Sequence, residues 1–182
     1  MKGTSALAAL FAALVCAGCS DRVSPAGPSS LRADSLPTNS VAGQPATAAT
    51  VPFKGTFEGP QTTTPLEPPR AFSVVSATGT ATHLGRFTLE IPHTVNFATA
   101  SGFGTYTFTA ADGSTLTADF NGTADTSTPI FAIEEHATIT GGTGRFAGAT
   151  GTFTAQRLFD PAYERTTGSF EGTISAPGAG RS

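Results

Sequence analysis

Three side chains able to do acid–base or hydrogen-bond chemistry stand where apolar residues are expected, and a fourth is a candidate to join them in space. His93 falls in the run Phe87, Leu89, Ile91, His93, Val95, Phe97, which alternates with Thr88, Glu90, Pro92, Thr94 and Asn96. Glu135 shares its alternating face with Phe131, Ile133, Ala137 and Ile139. Arg157 shares its face with Phe153, Ala155 and Phe159. Successive strand residues point to opposite sides, so each polar group is aimed at whatever its apolar neighbours pack against. Tyr106 is the fourth candidate. A buried charge must be paired, or it loses its ionisation. Convergence of His93, Tyr106, Glu135 and Arg157 in one lumen would make a structural ion pair, a ligand-binding floor, or an acid–base site using Glu135 and His93. A strand bulge that turns one of them outward is the competing outcome. Glu134 and His136, on alternate positions, are expected in solvent.

Other chemistry finds little support. His83, His93 and His136 show no His-x-x-x-His spacing, and both cysteines, Cys16 and Cys19, lie near the N-terminus. No metal site and no cofactor are therefore expected. Gly142-Thr143-Gly144-Arg145-Phe146-Ala147 fits a dinucleotide pattern, but Gly148, Gly151 and a following strand oppose the helix that such a site requires. No Gly-x-Ser-x-Gly elbow is present. The formal net charge is −3. Nothing in that balance attracts a phosphate backbone, and nucleic acid is not an expected partner.

The elements that must position these groups are strands. Phe numbers 14, and 21 Gly with 13 Pro cut the chain into short segments. Strand patterns cover Phe53 to Gly59, Phe72 to Thr82, Phe87 to Phe97, Phe103 to Ala110, Ser114 to Gly122, Ile130 to Thr140, Thr150 to Phe159 and Thr167 to Ser175. Asp112-Gly113 reads as a hairpin turn. Gln61 to Pro69 reads as a Pro/Thr loop, and Pro92 implies a kink, bulge or edge. Gly55-Thr56-Phe57-Glu58-Gly59 resembles Gly168-Ser169-Phe170-Glu171-Gly172. If these two strands are neighbours, the sheet closes on itself and has no edges. The expected fold is all-β, a single antiparallel eight-stranded closed barrel over residues 51–176, with a β-sandwich as the alternative.

The N-terminus reads as an export signal. Lys2 precedes an apolar run from Ala6 to Val15, and Ala17-Gly18-Cys19 follows. This resembles a bacterial lipoprotein signal, with residues 1–18 removed and Cys19 lipidated; Cys16 departs from the aliphatic residue usual there. Ser20, rather than Asp, resembles outer-membrane sorting. The implied location is the outer membrane, on its periplasmic or surface side. Residues 19–50 are rich in Ser, Pro, Ala and Thr and read as a flexible tether, and 177–182 as a disordered tail.

Ile139 to Gly151 carries Gly-Gly-Thr-Gly-Arg-Phe between two strand patterns. It resembles the Gly-Gly-Thr-Gly-x-Phe hairpin of the dirigent and allene oxide cyclase-like barrels. The resemblance implies an eight-stranded barrel with an apolar cavity, oligomeric in many plant members. Those members include a cyclase for an unsaturated fatty-acid epoxide and proteins that steer radical coupling of phenols. No catalytic residue transfers from them, and Glu58 matches a cyclase carboxylate by position alone. The expectation is a lipid-anchored envelope protein, a non-enzymatic binding or interaction module for a small apolar ligand. The alternatives are a cyclase- or isomerase-like enzyme using Glu135 and His93, and a purely structural lipoprotein.

Overall fold

A computed structural model describes residues 49–175. The leader, Cys19, all but the end of the tether, and the tail lie outside the described residues. Eight strands follow in order: β1 (Thr50–Pro65), β2 (Arg70–Ala81), β3 (Gly85–Asn96), β4 (Ser101–Ala110), β5 (Thr115–Asp125), β6 (Phe131–Gly142), β7 (Gly151–Asp160) and β8 (Arg165–Ser175). Each pairs antiparallel with the next, and β8 pairs with β1 to close the barrel. The alternating pattern decides which side faces in. On β3, Phe87, Leu89, Ile91 and His93 are buried, while Thr88, Glu90 and Pro92 are exposed.

The closing seam follows from the two similar segments. Phe53 lies opposite Gly172, Gly55 opposite Phe170, and Phe57 opposite Gly168. Every inward ring on one strand meets a glycine on the other. A Cβ on Gly168 would come 2.6 Å from the Phe57 ring, and one on Gly55 would come 2.8 Å from the Phe170 ring. An eight-stranded lumen is narrow, and these glycines supply the room that the rings need.

One end of the tube is filled. Phe53, Phe108, Phe153 and Phe170 pack with ring centroids 4.8 to 6.0 Å apart, mostly tilted or edge to face. The glycine-rich connection completes this end. Thr117 pairs with Gly141 and Ala118 with Ile139, so Thr140 is the extra residue of a bulge. Gly141 and Gly144 then take φ of 140° and 57°, and a single 3-10 turn at Gly144–Phe146 drives Phe146 into full burial. Arg145 holds this plug, donating from Nη2 to the Leu84 carbonyl at 3.0 Å and pairing with Asp112 at 3.3 Å.

One expectation needs correction, and another is met only in part. Gln61 to Pro69 is not wholly a loop, because β1 continues to Pro65. Pairing with β8 stops at Pro60, opposite Arg165, whereas pairing with β2 runs on to Pro65, opposite Ala71. Beyond Pro60 the Gln61 amide still donates to the Glu164 carbonyl at 2.8 Å, and the remainder to Pro65 pairs with β2 alone, where a proline's missing N–H is tolerated. Pro92 produces no register shift: the β2–β3 ladder is continuous through Pro92, opposite Val74. Its missing donor falls on the β4 side, where Ile91 and Pro92 have no paired residue.

Candidate functional site

The mouth half of the lumen holds the polar groups. β3 brings in His93, β4 Tyr106, β6 Glu135 and β7 Arg157, all buried. No bulge turns any of them outward, whereas Glu134 and His136 are exposed and pair with each other at 3.2 Å. Glu58 is also exposed on the outer wall of β1.

Arg157 and Glu135 form a two-pronged ion pair. Arg157 Nη2 donates to Glu135 Oε1 at 2.7 Å, and Nε lies 3.1 Å from Oε2. The Tyr106 hydroxyl donates to the same Oε2. Arg157 Nη1 donates to Gln61 Oε1 at 3.0 Å and to Thr166 Oγ1 at 3.4 Å. Thr166 in turn donates to the Leu158 carbonyl at 3.1 Å. Both carboxylate oxygens and all three guanidinium nitrogens are thus engaged, as a buried pair requires. Burial is the largest single influence and opposes the Arg157 charge, but Glu135 and Tyr106 together outweigh it and raise the guanidinium pKa.

Burial, with Glu135 second, raises the Tyr106 phenol well above its usual range. The folded protein therefore keeps that proton where an unfolded chain loses it, near pH ~10. Its contribution to stability is complete below that pH and declines as pH rises above it. In a Tyr163→Phe variant Tyr106 is the sole phenol, since the chain has two tyrosines. Its 295 nm absorbance is expected to stay flat through pH 10 and to rise only with loss of the far-ultraviolet β signal. A simple titration near 10 in folded protein would place the phenol in contact with solvent.

His93 differs from the other three. Its Nδ1 lies 2.9 Å from the Ile91 carbonyl, which can only accept, so Nδ1 carries the proton. Burial, then the charge of Arg157, lower its pKa and favour the neutral ring. Nε2 is left as a lone-pair acceptor with no partner among the described residues. Gln61 has given its carbonyl oxygen to Arg157, which leaves its amide N–H donors.

These groups border a cavity of about 310 Å³ that opens at the end opposite the Phe146 plug. Val95, Phe120, Phe131, Ile133 and Phe159 supply its apolar walls, and His93, Gln61, Glu135 and Arg157 its polar floor. Tyr106 stands behind Glu135 rather than on the cavity wall. Among the described residues no cluster of His, Cys, Asp and Glu is arranged to hold a metal ion.

The sequence reading missed Gln61 and Thr166. Gln61 continues the inward face of Phe53, Gly55, Phe57 and Gly59, a signal masked by Pro60. Thr166 is one turn of the alternation before Gly168 and was hidden by starting the last strand at Thr167.

No protein-family model and no curated protein matches this sequence. Among solved structures, one pterocarpan synthase dirigent protein aligns with a TM-score of 0.51 at 14% identity, over 69% of this chain and 89% of its own. A second pterocarpan synthase dirigent protein aligns with a TM-score of 0.49 at 15% identity, over 70% of this chain and 95% of its own. At such identity the first likeness speaks for architecture alone: the chain has a dirigent-like fold, an eight-stranded antiparallel barrel.

Proposed function

We propose that this is a lipid-anchored protein of the bacterial cell envelope whose barrel binds a small, neutral, apolar molecule bearing a hydroxyl, without transforming it. The observation that carries this reading is the hydrogen-bond inventory of the floor. Arg157 commits four of its five N–H donors to Glu135, Gln61 and Thr166, and Tyr106 gives its hydroxyl proton to Glu135, so the two charges neutralise each other and leave no net charge for a ligand. The open positions are an acceptor at His93 Nε2, donors on the Gln61 amide and the second Nη2 N–H of Arg157. One hydroxyl can donate to the first and accept from the second, while the apolar body fills the walls. A carboxylate would meet the neutral His93 lone pair and an adjacent anion at Glu135. The saturated carboxylate also counts against an acid–base role for Glu135, because proton transfer there would break the Arg157 pair.

Isothermal titration with 2-naphthol, naphthalene and 2-naphthoate tests the pocket. The order expected is 2-naphthol over naphthalene, with 2-naphthoate weakest. The hydroxyl should add on the order of 0.5–1.5 kcal/mol, a several-fold gain in affinity. Ile133→Trp, which fills the cavity, should abolish all binding. Tightest binding by the carboxylate, or none by any probe, would reject the reading. The anchor is tested separately: the first residue of the protein isolated from its host should be Cys19 carrying acyl mass, and an unmodified Cys19 would reject anchoring.

A further inference from the structure

We infer that the open end of the barrel rests on the surface of a phospholipid bilayer. Seven large hydrophobic side chains are exposed among the described residues, and all lie at this end. Four of them follow a simple rule. The four connections here are residues 66–69, 97–100, 126–130 and 161–164, and each carries one: Leu66, Phe97, Ile130 and Tyr163. Phe97 and Tyr163 are 63% and 77% exposed. The other three, Phe72, Phe103 and Leu158, stand two residues inside a strand end, so they form a collar within roughly 7 Å of the rim. The connections at the plugged end, residues 82–84, 111–114 and 143–150, carry none.

Local side-chain bonds fix the backbone of three of these connections. Asn96 Oδ1 accepts from the Ala98 amide at 2.9 Å, Asp125 Oδ1 from Ser127 at 2.9 Å, and Asp160 Oδ1 from Ala162 at 3.0 Å. Side chains of this kind at a common level are those that settle at a lipid–water boundary. Their charge chooses the lipid. The four connections contain only Glu67 and Glu164 as charged residues, and the adjoining strand ends add Arg70, Asp125, Asp160 and Arg165. Four acids against two bases do not seek anionic headgroups, so the surface that fits is zwitterionic, such as phosphatidylcholine.

Chain length permits the contact. β1 begins at the plugged end, so the segment after Cys19 joins the barrel away from the mouth. If residues 19–50 form the tether that their composition predicts, they reach on the order of 30 Å, and a 12-residue strand spans somewhat less than ~40 Å once tilted. An anchored barrel can therefore turn its mouth back to the membrane. The cavity then opens onto lipid, and an apolar molecule can pass between the two without crossing water. The surface contact stands on the rim and holds even if the cavity takes no ligand.

The chain contains no tryptophan, so a single Trp reports its own surroundings. Full-length protein carrying Phe97→Trp, Tyr163→Trp or, at the plugged end, Ala111→Trp is mixed with phosphatidylcholine vesicles, with and without brominated acyl chains. Whatever else holds the chain to lipid, the three positions read which end touches it. The two rim variants should shift to the blue and lose emission to bromine, and Ala111→Trp should do neither. Equal behaviour at both ends, or no change at either rim position, overturns the inference. A blue shift at the rim that grows with protein concentration in the absence of vesicles assigns the rim to a second copy of the chain and also overturns it.

Discussion

Arg157→Leu is expected to cost about 3–5 kcal/mol of folding stability, read from the urea midpoint. The loss comes from the partner left behind more than from the pair itself. Glu135 is buried beside Tyr106, and without the guanidinium its carboxylate faces a low-dielectric lumen with one hydroxyl donor. Gln61 and Thr166 each lose a hydrogen bond as well. Adding Glu135→Gln should restore much of the stability, because a neutral amide still accepts from Tyr106 and no longer needs a counter-charge. A single-variant loss below ~1 kcal/mol, the value of an exposed pair, would mean that water reaches this cluster. A double variant no better than the single would show that the penalty is not electrostatic.

Phe53→Ala is expected to cost about 3–5 kcal/mol, as large-to-small changes in close-packed cores do. Phe53 is fully buried and contacts Phe108, Phe153 and Phe170, with centroids 6.0, 5.6 and 4.8 Å away. Its seam partner Gly172 cannot fill the gap, having no side chain. The corresponding change at the mouth, Phe131→Ala, should cost clearly less, because Phe131 is only half-buried and borders the cavity. Naphthol affinity should respond in the opposite order, falling with Phe131→Ala and holding with Phe53→Ala. Equal stability losses would mean that the two halves of the lumen are packed alike.

Most of the architecture was legible in the chain because period-two alternation is a local signal. The run from Phe87 to Phe97 names its inward face, and the same arithmetic puts His93, Glu135 and Arg157 in the lumen. Closure was legible for a different reason. Phe and Gly are interchanged between the first and last strands, and the register pairs each ring with a glycine. What could not be read was how long a strand continues beyond a proline. That depends on whether both sides are paired, a property of neighbours distant in sequence. Gln61 was lost for this reason, and with it a donor that borders the same cavity as His93. Nor does composition show which lone pairs remain unused, because the answer lies in the distances among Glu135, Arg157 and Tyr106. The apolar tips at Leu66, Phe97, Ile130 and Tyr163 are scattered over nearly a hundred residues and become one surface only when the tube closes.

The functional reading depends on His93 Nε2 being the unused acceptor beside an ion pair that neutralises itself. Nitrogen-15 NMR of histidine-labelled protein reads that atom directly, with His93→Phe assigning the resonance. The account predicts an unprotonated Nε2 in the free protein, a marked upfield shift on saturation with 2-naphthol, and little change with naphthalene. A proton already on Nε2 in the free protein, or a resonance unmoved by bound 2-naphthol, would contradict it.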